Sequence, residues 1–312
     1  MVNFKEVTMV YTVTFNPSVD YVIEVAEIIK GSVNRAGFEH IFWGGKGVNV
    51  SIVLKELGVK STALGFISGF TGTAIEAGLR AKGIKTDLIE LPEGFSRINV
   101  KIRSSDDVTE INGCGPDITW TALDKLFEKL DAVQDGDTLV LAGSIPHSMS
   151  SNIYEKLLAR QEGKKIKIVV DATKDLLLNA LKHRPFLVKP NVSELGEMFG
   201  TDLKNEDEIL RCAEKLKEMG AVNVIVSMGG DGAILLDEHG ELHKCKACEG
   251  KVMNTVGAGD SMVAGFLAGL EREKGDYEFA LRLGTAAGSA TACSENLAEA
   301  KEIDRMMRQF PW

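Results

Sequence analysis

The sequence has few of the features that mark membrane, secreted or nucleic-acid-binding proteins. No segment approaches the roughly 18 consecutive apolar residues of a membrane-spanning helix. The first residues, MVNFKEVTMVYTVTF, are polar and acidic where a secretory signal needs an apolar stretch. Basic residues are outnumbered, with 36 Lys and Arg against 45 Asp and Glu, and the net charge is −9. This charge disfavours nucleic acid and anionic membrane as partners, and we expect a cytoplasmic protein.

Cysteines are too few and too scattered to form a disulfide framework. They number five, which is odd, and are Cys114, Cys212, Cys245, Cys248 and Cys293. Cys245 and Cys248 form one CxxC, but no second pair completes a zinc site, and the nearby His243 is only a weak third ligand. We expect ordinary reduced thiols, and the sequence assigns the CxxC no role.

Signatures of two common nucleotide-binding loops are also absent. The chain contains no GxxxxGKS or GxxxxGKT, so it has no Walker A loop, and its early glycine-rich loop does not fit the GxGxxG of nicotinamide enzymes. What remains is an ordinary globular composition, with 44% hydrophobic and 26% charged residues in a chain of 312. That length allows one large domain or two smaller ones with a sizeable core.

Short β-rich segments alternate with helical patterns along most of the chain. The expected strands cover 9–15, 61–67, 137–143, 165–172, 186–190 and 222–229, and the expected helices cover 46–57, 72–82, 150–161, 173–182, 193–199 and 206–219. Several strands are apolar without interruption, as strands buried on both faces are. This order predicts a mainly parallel sheet covered by helices on both faces and closed by a helical segment over 271–312.

Two segments, 21–42 and 95–113, break this rhythm because they are β-rich and contain no helical pattern. In the second, apolar and polar residues alternate, SSDD then supplies a turn, and VTEIN runs back as a second strand. One face of its first strand is apolar, and the other carries Arg97, Asn99, Lys101 and Arg103. We expect a small sheet beside the main domain.

The segment NTVGAGDSMVAGFLAGL at 254–270 opens on two glycines and an acid and continues as an apolar helix. The position of Asp260 in a first helical turn is explained by the helix dipole alone. Alternatively, the backbone N–H groups of Gly257, Ala258 and Gly259 face an anion, with the acid placed beside it. These residues alone leave both interpretations open.

Two further glycine-rich loops lie at expected strand ends. In the loop at 44–49, Lys46 is suited to hold a phosphate and Asn49 a hydroxyl, although a plain glycine turn before a helix is an equal alternative. The loop at 227–232 follows a strand, where ligands of α/β sheets bind, but it also fits a tight hairpin.

The segment KPNVSE at 189–194 follows an expected buried strand and opens a helix. The spacing of Asn191 and Glu194 favours a capping box. It also fits residues that face a magnesium–nucleotide complex, because Mg²⁺ keeps several waters and needs few carboxylates.

Taken together, these motifs resemble those of the PfkB, or ribokinase-like, family of sugar kinases over essentially the full length. The matching segments are NPSVDY, GGKGVNVSIVLKELG, AGSIP, KPNVSE, VSMGGDGA and NTVGAGDSMVAGF. The resemblance implies an α/β fold, a ribokinase-like three-layer sandwich with a mainly parallel sheet plus a small β-sheet lid. The main domain would comprise 1–20, 43–94 and 114–312, and the lid 21–42 and 95–113. In this family such lids often pair across a dimer, so a homodimer is expected.

The resemblance also implies ATP and Mg²⁺ as cofactors and a role for each matching residue. Asp260 would be the general base, and the N–H groups of Gly257, Ala258 and Gly259 would form the anion hole. Asn191 and Glu194 would organise Mg²⁺. The nucleotide site would comprise Lys189, Asn191, Ser227, Gly229 and Gly232. The sugar site would comprise Asp20, Gly45, Lys46, Asn49, Arg97 and Ser144.

Within the family, SRINVKI and TVGAGDSMV are most similar to 1-phosphofructokinases, with tagatose-6-phosphate kinases as the nearest alternative. The basic residues Lys46, Arg97, Lys101 and Arg103 favour a phosphorylated sugar and would serve either acceptor. The resemblance implies D-fructose 1-phosphate as the substrate. The basic residues argue against a ribokinase or nucleoside kinase, whose acceptors carry no phosphate. A non-catalytic sugar sensor is disfavoured because both expected acids are present.

Overall fold

The computed structural model describes residues 8–104, 107–146 and 148–310, and strands and helices alternate through most of them. The strands are β1 (Val10–Thr14), β2 (Ser18–Glu24), β3 (Phe38–Gly44), β4 (Ser61–Ser68), β5 (Lys85–Thr86), β6 (Ile89–Leu91), β7 (Arg97–Arg103), β8 (Val108–Asn112), β9 (Thr138–Ala142), β10 (Lys167–Asp171), β11 (Leu187–Val188), β12 (Asn223–Ser227), β13 (Ala233–Leu236) and β14 (Leu242–Cys245). The helices are α1 (Lys46–Glu56), α2 (Gly69–Ala81), α3 (Trp120–Asp131), α4 (Ile153–Arg160), α5 (Lys174–Leu181), α6 (Val192–Phe199), α7 (Glu206–Glu218), α8 (Ala258–Arg272), α9 (Tyr277–Ala292) and α10 (Ala300–Met307).

Ten strands form one large sheet in the order β14-β13-β12-β11-β10-β9-β1-β4-β5, with β6 paired to β4. The strands from β12 to β5 run parallel, and β13 and β14 add an antiparallel hairpin at one edge. The expected α/β fold with a mainly parallel sheet is confirmed.

The central strands are apolar on both faces because each face packs against a layer of helices. Along β9, Leu139 and Leu141 belong to one hydrophobic cluster, and Val140 and Ala142 belong to the other. The first cluster includes residues of α3, α4, α5 and α7, and the second includes residues of α1, α8, α9 and α10. Each fully buried Leu or Val contributes roughly 1.5–3 kcal/mol from burial, and the alternation produces the three-layer arrangement.

The remaining four strands form a separate small sheet in the order β3-β2-β7-β8. It is wider than the expected 21–42 and 95–113, because the β2–β3 ladder already begins with the pair Ser18 and Gly44. Strands β7 and β8 are antiparallel, as the alternating pattern predicts. Two residues of the expected SSDD turn, 105–106, lie outside the described residues.

Helix α3 was not among the expected elements, although its sequence explains it. Thr119 caps the helix, since its side chain accepts a hydrogen bond from the Ala122 N–H. Leu123, Leu126 and Leu130 then recur at helical spacing and are fully buried. In contrast, the expected strand at 186–190 is reduced to the two residues of β11, where Pro190 has no N–H to extend the ladder.

The parallel strands place their carboxyl ends at one edge of the large sheet, next to the small sheet. Asp171 ends β10, Lys189 follows β11, and Ser227 ends β12. The first turns of α1 and α8 lie beside them in the cleft described below. Ligands of open α/β sheets bind at such an edge. Within the described ranges, no helix is long and apolar enough to cross a membrane.

Candidate active site

A cleft of about 1020 Å³ is lined by residues of both sheets and of the loops at the strand ends. Sixteen residues expected at the site line it: Asp20, Gly45, Lys46, Asn49, Arg97, Lys101, Lys189, Asn191, Glu194, Ser227, Gly229, Gly232, Gly257, Ala258, Gly259 and Asp260. The described residues that line the cleft do not include Arg103 or Ser144. The motifs separated in sequence therefore meet in one place.

Asp260 lies in the first turn of α8 and is 5% exposed. Its Oδ2 accepts a hydrogen bond from Asn49 Nδ2 at 2.7 Å. Burial and, next, the nearby Asp171 charge raise the pKa of the Asp260 carboxyl from its ordinary 3.8 to about 6, although Lys46, Asn49 and Lys189 act in the opposite direction. A carboxylate of this kind is a stronger base than an exposed one.

The start of α8 depends on glycine at two positions. Gly257 has φ 81°, in the left-handed region, and a Cβ there would lie 2.6 Å from Leu297 Cδ2. A Cβ at Gly259 would lie 2.9 Å from Lys189 Nζ, so this ammonium approaches the backbone of the first turn. The backbone is therefore open to close approach by a charged group.

Two amide N–H groups at this helix start are free to bind an anion. Within the described ranges, the N–H groups of Gly257 and Gly259 have no acceptor. The Ala258 N–H differs, because it donates to the Thr255 carbonyl at 3.2 Å. The structure thus leaves two of the three expected anion-binding groups available, at the positive end of the helix dipole.

Asp171 is a central residue of the cleft that the sequence analysis did not identify. It is 1% exposed, and its Oδ1 lies 3.2 Å from Lys46 Nζ and 3.7 Å from Lys189 Nζ. Burial alone would raise the pKa of its carboxyl, but Lys189 and Lys46 outweigh burial and hold that pKa below the usual range. The Asp171 charge in turn raises the pKa of the Lys46 ammonium above its usual range.

A signal for Asp171 was present in the sequence. The segment KIKIVVDA places an acid directly after an apolar strand, at the edge where ligands of parallel sheets bind. Read alone, an acid at that position is also an ordinary strand terminus. The lysines that make it distinctive lie 125 residues before it and 18 after it, and only the fold brings them together.

The part of the cleft lined by the small sheet is built around Asp20. Its Oδ1 accepts hydrogen bonds from Ser18 Oγ at 2.6 Å and from Asn99 Nδ2 at 2.8 Å, and Lys101 Nζ lies 3.4 Å from its Oδ2. Ser18 and Asn99 also line the cleft. The sequence analysis named neither as a site residue, although Asn99 alternates with Arg97 and Lys101 on β7.

Arg97 and Arg103 occupy the two ends of β7 and have different surroundings. Arg97 lines the cleft, where its Nε donates to the Asn16 carbonyl at 3.0 Å, and burial lowers the pKa of its guanidinium. Its terminal N–H groups are not used in that bond. Arg103 lies six residues further along the strand, about 20 Å away, and its Nη1 is 3.7 Å from Glu24 Oε1. The expected role of Arg103 in the cleft is not supported, because the strand carries it beyond the cleft.

Ser144, which was expected to contact the sugar, also lies outside the cleft. Ser144 follows β9 on an exposed loop, and the described lining of the cleft does not include it.

Asn191 and Glu194, in contrast, line the cleft and form a capping box at the start of α6. Asn191 Oδ1 accepts from the Glu194 N–H at 2.8 Å, and Glu194 Oε2 accepts from the Asn191 N–H at 2.9 Å. The capping interpretation is therefore correct, and Glu194 Oε1 is not used in it.

Another part of the cleft is lined by the segment 247–252 and by α9, which the sequence did not predict. Cys248 and Cys293 are both in this lining. The Cys248 N–H donates to Ser289 Oγ at 3.1 Å, which ties the segment to α9. All five cysteines are free, as expected, and burial raises the pKa of the Cys248 thiol to about 11. This thiol is therefore protonated at neutral pH.

Comparison with known proteins identifies the family. The pfkB family carbohydrate kinase model matches residues 13–304. The 1-phosphofructokinase of Bacillus subtilis is 44% identical over 299 residues, 96% of this chain and 97% of the relative. A D-tagatose-1-phosphate kinase of Bacillus licheniformis is 39% identical over 304 residues, 97% of this chain and 98% of the relative.

A solved structure shares the whole architecture. Phosphofructokinase-2 from Escherichia coli, in complex with substrates and products, superposes with a TM-score of 0.90 at 26% identity, covering 97% of this chain and 99% of that one. Because the family model and these relatives span nearly the entire sequence, the chain belongs to the pfkB family of carbohydrate kinases and is a phosphotransferase with an alcohol acceptor.

Proposed function

We propose that the protein catalyses the ATP-dependent phosphorylation of D-fructose 1-phosphate on its 6-hydroxyl, giving fructose 1,6-bisphosphate and ADP. One observation carries the proposal: a single cleft holds a buried carboxylate beside free amide N–H groups, together with the cations of the small sheet. The carboxylate is suited to remove a proton, and the amide N–H groups are suited to stabilise the transferred phosphoryl group. The cations suit an acceptor that already carries a phosphate.

Arg97 and Lys101 bind the phosphate of the acceptor in this proposal. The protein has a net charge of −9, so a dianionic sugar phosphate requires cations concentrated in the cleft. The terminal N–H groups of Arg97 match the bidentate geometry of a phosphate. Asp20, held by Ser18 and Asn99, accepts hydrogen bonds from sugar hydroxyls. With the phosphate fixed by the small sheet, the far hydroxyl is directed to Asp260.

Asp260 is the general base of this reaction. An alcohol is a weak nucleophile at neutral pH and requires a base within hydrogen-bonding reach. The raised pKa of Asp260 makes its carboxylate more basic while leaving it ionised at neutral pH. The N–H groups of Gly257 and Gly259 stabilise the charge on the transferred phosphoryl group, and Lys189 adds a positive charge close to the same turn.

The nucleotide lies across the carboxyl ends of β11 and β12 in this arrangement, along Ser227, Gly229 and Gly232. Mg²⁺ fits the donor set, because Glu194 Oε1 is outside the capping box and Glu194 lines a cleft of about 1020 Å³, which has room for coordinated waters. Glu194 and Asn191 would hold the ion, which supplies neutralisation of the ATP phosphates when bound.

Tagatose phosphates are the second candidate class of acceptor. A relative that is 39% identical over 97% of this chain is a D-tagatose-1-phosphate kinase. Tagatose and fructose differ at one hydroxyl, so the cations of the cleft serve either sugar. The 44% identity to a 1-phosphofructokinase and the SRINVKI segment favour the fructose compound. Tagatose 6-phosphate, whose phosphate is at the other end, is the more distant alternative.

The small sheet also provides the lid and the dimer contact in this proposal. Its outer strands, β3 and β8, expose Phe38, Ile41, Val108 and Ile111 at 45–59% of their surface. Exposed edge strands with large apolar side chains aggregate unless another chain covers them. A second copy of this chain covers them here and thereby holds the two lids over their clefts.

The product identifies the reaction directly. The protein is incubated with D-fructose 1-phosphate, ATP and Mg²⁺, and phosphorus-31 NMR follows the phosphate esters. Fructose 1,6-bisphosphate and ADP are expected to appear in equal amounts. Formation of ADP with inorganic phosphate and no bisphosphate would contradict the proposal, since it would indicate ATP hydrolysis without an acceptor.

A further inference from the structure

Three side chains that can bind a metal ion lie together on the hairpin of β13 and β14. Asp237 follows β13, Glu241 precedes β14, and His243 lies within β14. One ligand atom from each of the three lies within 4.8 Å of the other two. Among the residues that the structure describes, this is the one such group of His, Cys, Asp or Glu, and none of its members lines the cleft. The histidine that was a weak third ligand for the CxxC therefore lies with two carboxylates, and the group contains no cysteine.

The antiparallel ladder places the three side chains on one face of the large sheet. Leu235 is paired with His243. Two residues further along the hairpin, the Asp237 N–H donates to the Glu241 carbonyl at 3.1 Å. Because side chains alternate between faces along a strand, all three share the face of Leu235. That face packs against α8 and α9.

Asp237 is 1% exposed, and the turn fixes the direction of its carboxylate. Its Oδ1 accepts hydrogen bonds from the N–H groups of His239 at 2.9 Å and Glu241 at 2.8 Å. Its Oδ2 lies 2.9 Å from His243 Nε2. Hydrogen bonds of the first kind orient metal ligands in proteins. Two ligand atoms of a tetrahedral Zn²⁺ ion are about 3.3 Å apart, so an ion fits between Oδ2 and Nε2 after a small shift.

A buried oxygen without a hydrogen-bond donor lies beside this group. Val224 is paired with Leu236, so the next residues along the ladder, Asn223 and Asp237, are neighbours on the same face. Asn223 is 0% exposed, and its Nδ2 donates to the Phe186 carbonyl at 2.8 Å. Its Oδ1 has no donor within the part of the chain that the structure describes. A buried acceptor without a partner is unfavourable, and a bound ion or water is the usual explanation for one.

The charges and atoms of the group select the kind of ion. Asp237 and Glu241 supply two negative charges, which match a divalent cation, and His243 supplies a nitrogen. Mg²⁺ and Ca²⁺ prefer oxygen ligands alone, whereas Zn²⁺ and its neighbours in the first transition series bind imidazole and carboxylate together. The nearby Lys217 ammonium donates to the main-chain carbonyls of Val222 and Asp237. Its charge is therefore bound by the main chain.

We propose that Asp237, Glu241 and His243 bind one divalent transition-metal ion, with the Asn223 amide oxygen beside it. The ion fastens the hairpin of β13 and β14 to β12. Strand β14 ends directly before the segment 247–252, which lines the cleft. The ion therefore stabilises the support of this wall and takes no part in the reaction, and the inference is independent of the proposed function.

The test is a Zn²⁺ titration of the full-length protein after treatment with EDTA. Isothermal calorimetry is carried out with reduced thiols and excess Mg²⁺, which occupies oxygen-only sites. The wild type is expected to bind one Zn²⁺ at this site, and His243→Gln is expected to raise its Kd by at least about tenfold, because a ligand is lost. His239→Gln, which changes an exposed histidine of the same hairpin outside the group, is the control. It is expected to change the Kd by less than about threefold.

X-ray absorption at the zinc edge identifies the ligands of the bound ion. The wild type with one equivalent of Zn²⁺ is expected to show only nitrogen and oxygen ligands, at about 2.0–2.1 Å. A sulfur ligand at about 2.3 Å would overturn the inference by placing the ion on the cysteines. Equal affinity in all three proteins, or equal losses in both histidine variants, would overturn it as well. If His243→Gln fails to fold, Glu241→Gln, at an exposed position, enters the same comparison with the same expected loss.

Discussion

Burial of the Asp260 carboxylate lowers the stability of the fold and makes this carboxylate a stronger base. The folded protein holds its proton more tightly than the unfolded chain, because burial and Asp171 raise the pKa of the carboxyl to about 6. Its ionisation therefore lowers the stability of the fold as the pH rises from about 4 to about 6. The same shift gives a carboxylate that is ionised and unusually basic at neutral pH.

Replacement of Asp260 is therefore expected to separate activity from stability. Asp260→Asn keeps an oxygen that accepts from Asn49 but removes the base, so kcat is expected to fall by about 10²–10⁴-fold or more. The free energy of unfolding at pH 8 is expected to rise by about 1–3 kcal/mol, because no charge is buried. Steady-state kinetics and urea unfolding measure the two effects. Near-normal turnover would leave Asp260 with a helix-dipole role only.

At the residue scale, the sequence predicted the groups that occur in compact motifs. Lys46 and Asn49 with Gly45, and Asp260 with Gly257, lie in short segments with recognisable spacing, and all five line the cleft. Asp171 is different, because its environment comes from lysines on two other segments. A single acid after a strand contains no sign of those partners.

At the scale of elements, β7 explains why only part of a basic strand serves the cleft. Alternation places its polar side chains on one face, as the sequence predicted. The strand is longer than the wall of the cleft, and Arg103 at its far end pairs with Glu24. Periodicity predicts the face of a side chain but not how far the pocket extends along the strand.

The two arginines of β7 provide a matched pair of variants. Arg97→Ala is expected to raise KM for the sugar phosphate by about 10–100-fold, with little change in KM for ATP, because it removes charged hydrogen bonds to the acceptor. Arg103→Ala removes the same side chain from the same strand outside the cleft and is expected to change either KM by less than about threefold. Equal effects of the two variants on sugar-phosphate KM would contradict a phosphate site at Arg97.

Helix α6 shows that structural and functional interpretations of one motif need not exclude each other. Asn191 and Glu194 form the capping box that their spacing predicts, and they line the cleft as well. The sequence posed these as alternatives because spacing contains no information about the space around the helix end. The strand β11, which precedes α6, is shorter than predicted. The apolar pattern predicted a strand over 186–190, but Pro190 has no N–H group to extend the ladder.

At the scale of the whole molecule, the alternating pattern was sufficient for the fold class but not for every element. The parallel sheet follows from uninterrupted apolar strands separated by amphipathic helices. Helix α3 was missed even though its capping residue and buried leucines are regular. The wall formed by 247–252 and α9 could not be predicted, because it contains no motif and depends on packing between distant segments.

The exposed apolar residues on the outer strands of the small sheet predict that the protein forms a dimer. Ile111→Glu places a charge on the exposed edge strand β8, where Ile111 is 59% exposed, so the monomer fold is expected to survive. The wild type is expected to be a dimer by light scattering at micromolar concentration, and the variant is expected to be largely monomeric. Met219→Glu, which changes an apolar residue 44% exposed beside α7, is the control and is expected to remain dimeric. A fully active wild-type monomer would contradict the role of the lid in dimerisation.

The substrate is the central claim, and a direct comparison of acceptors tests it. We would measure kcat/KM with saturating Mg²⁺-ATP for D-fructose 1-phosphate, D-tagatose 1-phosphate, D-tagatose 6-phosphate, D-fructose 6-phosphate and ribose. The account predicts the highest value for fructose 1-phosphate and negligible turnover of ribose, which has no group for Arg97 and Lys101 to bind. A lead of tenfold or more for another sugar phosphate would contradict the assigned substrate, and a lead for ribose would also contradict the phosphate site.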